Sequence, residues 1–126
     1  MSNNHLLTGK SGEDIACDAL RQRGYRILAR NHRTAFGEID IVGFDRDVVC
    51  FIEVKTRTGV QKGLPAESVH AFKQRQIARA ALQFLQEKKL FGKKARFDVV
   101  SVLRSEGNDV VRIIPNAFEL PSHYVT

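Results

Sequence analysis

The chain has 126 residues, 43% hydrophobic and 27% charged, which fits one domain with a substantial core and excludes two. Its formal net charge of +6 points to a polyanionic partner, with eleven Lys/Arg against six Asp/Glu in residues 61–126 and near balance before them. No signal-peptide-like start, bilayer-length apolar run, CxxC spacing around Cys17 or Cys50, or histidine cluster is present. The expectation is therefore a cytoplasmic protein with two buried free thiols and no zinc site.

In chain order, Ser11 and Asp14 form a capping box for a helix over about Gly12 to Arg23. Ile15, Ala16, Ala19 and Leu20 supply its apolar stripe, and Gly24 stops it. Tyr25 to Arg33 alternates as a strand, with Tyr25, Ile27 and Ala29 on one side. Two strands follow as a hairpin in GEIDIVGFDRDVVCFIEVKTRTG, residues 37–59. A loop with Gly59, Gly63 and Pro65 leads to a long helix over about Ala66 to Lys89, its apolar arc formed by Val69, Ile77, Ala80, Ala81 and Phe84. Arg96 to Leu103 and Val110 to Ile114 are the last strands, joined through Ser105–Asp109. The order α-β-β-β-α-β-β predicts an α/β fold: a mixed five-stranded sheet with helices packed on it, the third and fourth strands parallel across a right-handed crossover. The whole chain, 1–126, reads as a single domain with flexible ends at 1–8 and 119–126.

The hairpin carries charge inside its arms. A two-residue turn at Arg46-Asp47 pairs Asp45 with Val48, and counting back sets Asp40 opposite Glu53 and Glu38 opposite Lys55. Strand alternation then puts Glu38 and Asp40 on one face, and brings two carboxylates to Cβ separations of ~5 Å. Directly opposed like charges destabilise a strand pair, so a counter-charge is expected. Lys55 could supply it, leaving a solvated face of ion pairs worth little each. A hard divalent cation could bridge both carboxylates instead, with Lys55 orienting or deprotonating a water. On the long helix Lys73 projects inside the apolar arc with Gln76 at its edge, either snorkelling or reaching toward phosphate. Glu13, at the start of the first helix, suits the helix dipole on its own account.

The hairpin block, GEDIACDALRQRGYRILARNHR upstream, HAFKQRQIARAALQFL downstream and the later RFDVVSV together resemble the YraN-type family. These small bacterial proteins are grouped with the PD-(D/E)XK nuclease superfamily and are similar in layout to archaeal Holliday junction resolvases. The resemblance runs from about Gly9 to Phe118 and implies a restriction-endonuclease-like core with a metal site. Asp40, Glu53 and Lys55 match the superfamily's Asp…Glu-x-Lys triad. Glu13 matches the helix-borne acid of the resolvases, Lys73 or Gln76 the polar residue of the crossover helix, and Glu38 an additional metal-side acid. Two departures are visible: no Pro precedes Asp40, and Cys50 replaces a larger apolar residue.

The resemblance implies a Mg²⁺- or Mn²⁺-dependent endonuclease acting on DNA, with branched or recombination intermediates as the substrate class and a homodimer by analogy. Arg30, Arg33 and Arg57, with Gln76, Lys88 and Lys89, are the candidate nucleic-acid contacts; the lysines stand equally well as cations favoured at a helix C-terminus. With eight Phe, two Tyr and no Trp, a broad stacking platform for single strands is not expected. The alternatives are a nucleic-acid-binding module without turnover, and an assembly factor docking through residues 116–126.

Overall fold

The computed structural model describes residues 10–58 and 71–118. The expected end segments, the 59–65 loop and the predicted helix start at 66–70, with Val69, lie outside the described residues. The element order is that expected from the sequence: α1 (Gly12–Gln22), β1 (Arg26–Thr34), β2 (Gly37–Asp45), β3 (Val48–Thr58), α2 (Ala71–Glu87), β4 (Ala95–Ser105) and β5 (Asn108–Phe118). The five strands form one sheet in the spatial order β1-β2-β3-β4-β5. Only β3 and β4 run parallel, the remaining neighbours being antiparallel.

Both helices begin or end on identifiable backbone chemistry. The capping box of α1 is complete: Ser11 Oγ accepts from the Asp14 N–H and Asp14 Oδ2 accepts from the Ser11 N–H, each at 3.1 Å. At its other end Gly24 takes φ +99, the Tyr25 N–H reaches Leu20 O and the Gly24 N–H reaches Arg21 O, a Schellman closure. The same closure ends α2 without a glycine. Lys89 adopts φ +58, the Leu90 N–H reaches Leu85 O and the Lys89 N–H reaches Gln86 O. The helix therefore stops at Glu87, short of the expected Lys89.

The helices cover opposite faces of the sheet. On β3, Val49 and Phe51 pack under α2 with Ile77, Ala80, Ala81, Phe84, Phe97 and Val99. Cys50 and Ile52 pack under α1 with Ala16, Cys17, Leu20, Tyr25, Val100 and Val102. Phe51, Phe84 and Phe97 are each at most 2% exposed, and full burial of such a ring contributes about 1.5–3 kcal/mol. The α1 stripe is rotated from its expected position, with Gly12 and Cys17 buried and Ile15 and Ala19 only half-buried.

Strand alternation breaks at three places among the described strands, two in β1 and β2 and one between β4 and β5 at Phe97/Val99. The β1–β2 register slips between Ile27 and Ala29, with Leu28 as the extra residue. Ala29 therefore packs under α2, while Tyr25 and Ile27 pack under α1, correcting the expectation that all three share a side. Gly43 sits opposite this bulge, where a Cβ would come within 2.9 Å of the Arg26 carbonyl oxygen. The second break lies at Asp40. Ile39 belongs to the α2-side core and Ile41 to the α1-side core, although they are two residues apart. The pairings Arg30↔Ile41 and His32↔Ile39 bracket Asn31, whose φ is +52. Strand β2 thus reverses its faces at Asp40, and alternation no longer fixes Glu38 and Asp40 on one face.

Candidate active site

The hairpin turns where expected, with Asp45 paired to Val48 across Arg46-Asp47. Its ladder stops at Ile41↔Ile52, one step before Asp40 and Glu53 would face each other. The reversal at Asp40 ends the pairing, and Asp40 Oδ2 instead accepts from the Val54 N–H at 2.8 Å. The expected Glu38–Lys55 opposition is likewise not a paired position. Glu38 belongs to the β1 side, 3.3 Å from Arg33 Nε and directly opposite Arg33 in the ladder.

Glu53 and Asp40 form the centre of the site. Glu53 is 6% exposed, and its Oε2 is ion-paired with Lys73 from α2 and lies 3.8 Å from Lys55 Nζ. Burial, and then the charge of Glu53, push the Asp40 carboxyl up to about 6, while the Val54 N–H and Lys73 act in the opposite direction. Lys73 is opposed by its own burial, yet its hydrogen bond to Glu53 and the charges of Glu53 and Asp40 leave it raised. Lysine in the apolar arc of α2 is thereby explained: it answers a buried carboxylate.

The remaining candidates divide. Glu13 comes from the α1 side and contributes to the field at Asp40, but its Oε1 accepts from Asn31 Nδ2 at 2.9 Å and from Arg30 Nη2 at 3.2 Å. Arg30 is further committed to Asp14 at 2.7 Å. Gln76 does not meet Glu53; its Nε2 donates to Phe36 O at 3.1 Å. Arg33 presents an exposed side chain and Arg57 a half-buried one. Lys88 lies over the Phe84 ring, 6.0 Å from its centroid, and Lys89 is exposed at the α2 terminus. Neither lysine touches the Asp40–Glu53 centre.

Among the described residues, no group of three His, Cys, Asp or Glu side chains comes together to hold a metal. Asp40 and Glu53 alone converge, and their mutual repulsion is what a hard cation would relieve. Two carboxylates with open positions fit Mg²⁺ or Mn²⁺, which retain waters and take phosphate oxygens. They do not fit zinc.

Sequence reasoning missed a second charged cluster. Asp98, fully buried, accepts from Tyr25 Oη at 2.9 Å, from Arg96 Nε at 2.8 Å and from the Asn116 N–H at 2.9 Å. Arg96 also reaches Asp45 at 3.0 Å. Burial, followed by Asp98, raises Tyr25, and burial with Asp98 pushes the Cys50 thiol up to about 12. Every polar group in the cluster is partnered, and it closes off the core under α1 away from Glu53. Phe36, at the β1–β2 turn beside Glu38, was also passed over, although an aromatic in the turn TAFG was visible.

A model of the uncharacterised protein family UPF0102 matches residues 12–102. A UPF0102 protein of Syntrophotalea carbinolica is 46% identical over 120 residues, which cover 95% of this chain and 98% of that one. One from Clostridium kluyveri is 46% identical over 114 residues, covering 89% and 93%. One from Chlorobaculum tepidum reaches 52% identity over 95 residues, covering 75% and 74%.

Proposed function

The chain belongs to the uncharacterised protein family UPF0102, and on that footing we propose that it hydrolyses phosphodiester bonds in nucleic acid with a divalent cation. The observation carrying this reading is the convergence of Asp40 and Glu53 at the point where β2 leaves β3, with two lysines on Glu53. Asp40 and Glu53 would hold Mg²⁺ or Mn²⁺, which in such a site polarises a phosphoryl oxygen and acidifies a bound water. Lys55 orients or deprotonates the attacking water, and Lys73 offers its ammonium to a phosphate oxygen. Asn31 and Arg30 hold Glu13 at the rim, where its charge adds to the negative field at Asp40. The basic surface supplies backbone affinity. DNA is the proposed substrate, with branched or recombination intermediates first, by the likeness to junction resolvases, and a dimer acting on paired strands.

One observation favours a second reading, a binding module without turnover: Glu53 already has Lys73 and Lys55 as counter-charges. Calorimetric titration with Mg²⁺ and Mn²⁺ separates the two. Saturable binding in the wild type, lost in Asp40→Asn/Glu53→Gln, is expected, together with loss of cleavage and retention of DNA binding in that variant. Absence of metal binding with and without DNA would sink the hydrolase and leave the binder.

A further inference from the structure

Beside the candidate site two aromatic rings reach the surface. Phe36 tops the β1–β2 turn and is 37% exposed; Phe72, one residue before Lys73, is 66% exposed. Exposure of a single ring is ordinary, but the turn under Phe36 is held from several directions. Thr34 Oγ1 donates to Gly37 O at 2.9 Å and accepts from the Phe36 N–H at 3.0 Å. Gln76 on α2 donates to Phe36 O at 3.1 Å, and the Arg79 guanidinium stands 5.9 Å from the ring centroid. The ring is therefore positioned by its backbone and by α2 while retaining contact with water. Phe36, Glu38, Lys73 and Gln76 line one small cleft of about 80 Å³, and Lys73 is the residue that grips Glu53. The cleft is too small for a nucleobase. A base stacking here would lie on the Phe36 ring, over the cleft, with its own phosphate toward Lys73.

The geometry points to Phe36 as a stacking platform for an unpaired base next to the phosphodiester at Asp40 and Glu53. The inference rests on the proposed phosphodiester hydrolysis and names its substrate class: nucleic acid with an unpaired nucleotide at the cut, as in single strands, flaps or junction crossovers. An aromatic ring reaches a base's π-face only where that base has left its stack, so a continuous duplex cannot use Phe36. The Arg79 guanidinium already lies over the ring, so it is part of the same platform and an incoming base stacks against ring and cation together.

The test uses the full chain in chelator, which prevents cleavage, with single-stranded and duplex oligonucleotides of one sequence carrying 2-aminopurine. Wild-type protein is expected to quench the single-stranded probe. Phe36→Ala is expected to lose the quench and bind the single strand about tenfold more weakly, with duplex affinity unchanged, and Phe36→Trp restores both. Because the turn is held through Thr34 and through backbone atoms that alanine keeps, circular dichroism of Phe36→Ala is expected to match wild type. Wild-type-like binding by Phe36→Ala, or equal losses on both probes, overturns the platform. Adding Mg²⁺ or Mn²⁺ to the same single-stranded probe separates the two claims. Cleavage with an indifferent Phe36 removes only the platform, whereas Phe36-dependent quenching without cleavage removes only the hydrolase. No binding to any probe removes both.

Discussion

Asp40 sits where its charged carboxylate costs the fold stability. Its carboxyl has a native pKa of about 6 against an ordinary value of 3.8, raised by burial and then by Glu53. Between those values the native state holds more protons than the unfolded state, so stability falls as pH rises from about 4 through 6. In chelator, Asp40→Asn is therefore expected to raise the melting temperature at pH 7.5 by about 5 °C, the scale of 1 kcal/mol in a domain of this size. Asparagine keeps the acceptor for the Val54 N–H, and the gain disappears near pH 4, where the aspartate is neutral. Thermal melts at the two pH values check this, and a destabilised Asp40→Asn at pH 7.5 would show that the carboxylate is better compensated than the geometry indicates. A residue whose removal stabilises the protein is retained for something other than folding.

At the scale of elements, the site depends on a strand that changes faces. Asn31 supplies the left-handed backbone opposite Asp40 and its side chain holds Glu13. Both substitutions lose the amide that holds Glu13, but Asn31→Ala keeps a β-carbon at φ +52 without asparagine's local hydrogen bonding, whereas Asn31→Gly removes that β-carbon. Chemical denaturation should therefore place Asn31→Ala about 1 kcal/mol below Asn31→Gly. Equal stabilities would assign the reversal to packing instead. Local marks of this kind decide how much of the fold is legible in the sequence. Element order, the parallel crossover, the 46–47 turn, both members of the capping box and the Lys73 anomaly were readable because each leaves a local or periodic mark. The bulge at Leu28 and the reversal at Asp40 leave none, so alternation misassigned Ala29, and the register counted from the turn ran past the true end of the ladder at Ile41↔Ile52. The end of α2 was misplaced because Lys89, not glycine, takes the left-handed position. Asp98 looked like one more charge in a strand because its partner Tyr25 stands 73 positions away.

For the whole molecule, that Asp98 cluster is the long-range tie. It joins the entry of β1 through Tyr25, the end of β2 through Asp45, β4 through Arg96 and β5 through the Asn116 backbone. Asp98→Ala leaves Arg96 partly uncompensated and the Asn116 N–H without its acceptor, at a cost of about 3–5 kcal/mol. Against a typical total of about 5–15 kcal/mol, that should markedly lower the denaturation midpoint, with Asp98→Asn intermediate. A loss under about 1 kcal/mol would show the cluster to be peripheral. The sheet's spatial order, meanwhile, repeats the order of its strands in the chain. During synthesis each strand thus leaves the ribosome to find its neighbour already made, and only the β3–β4 pairing must wait for a helix to pass over. The hairpin bearing Asp40 and Glu53 can form before residue 60, but the lysine answering Glu53 and the aspartate locking Tyr25 arrive in turn. The nascent hairpin thus carries Lys55 as the first counter-charge to Glu53, and Lys73 joins it only once α2 has been made.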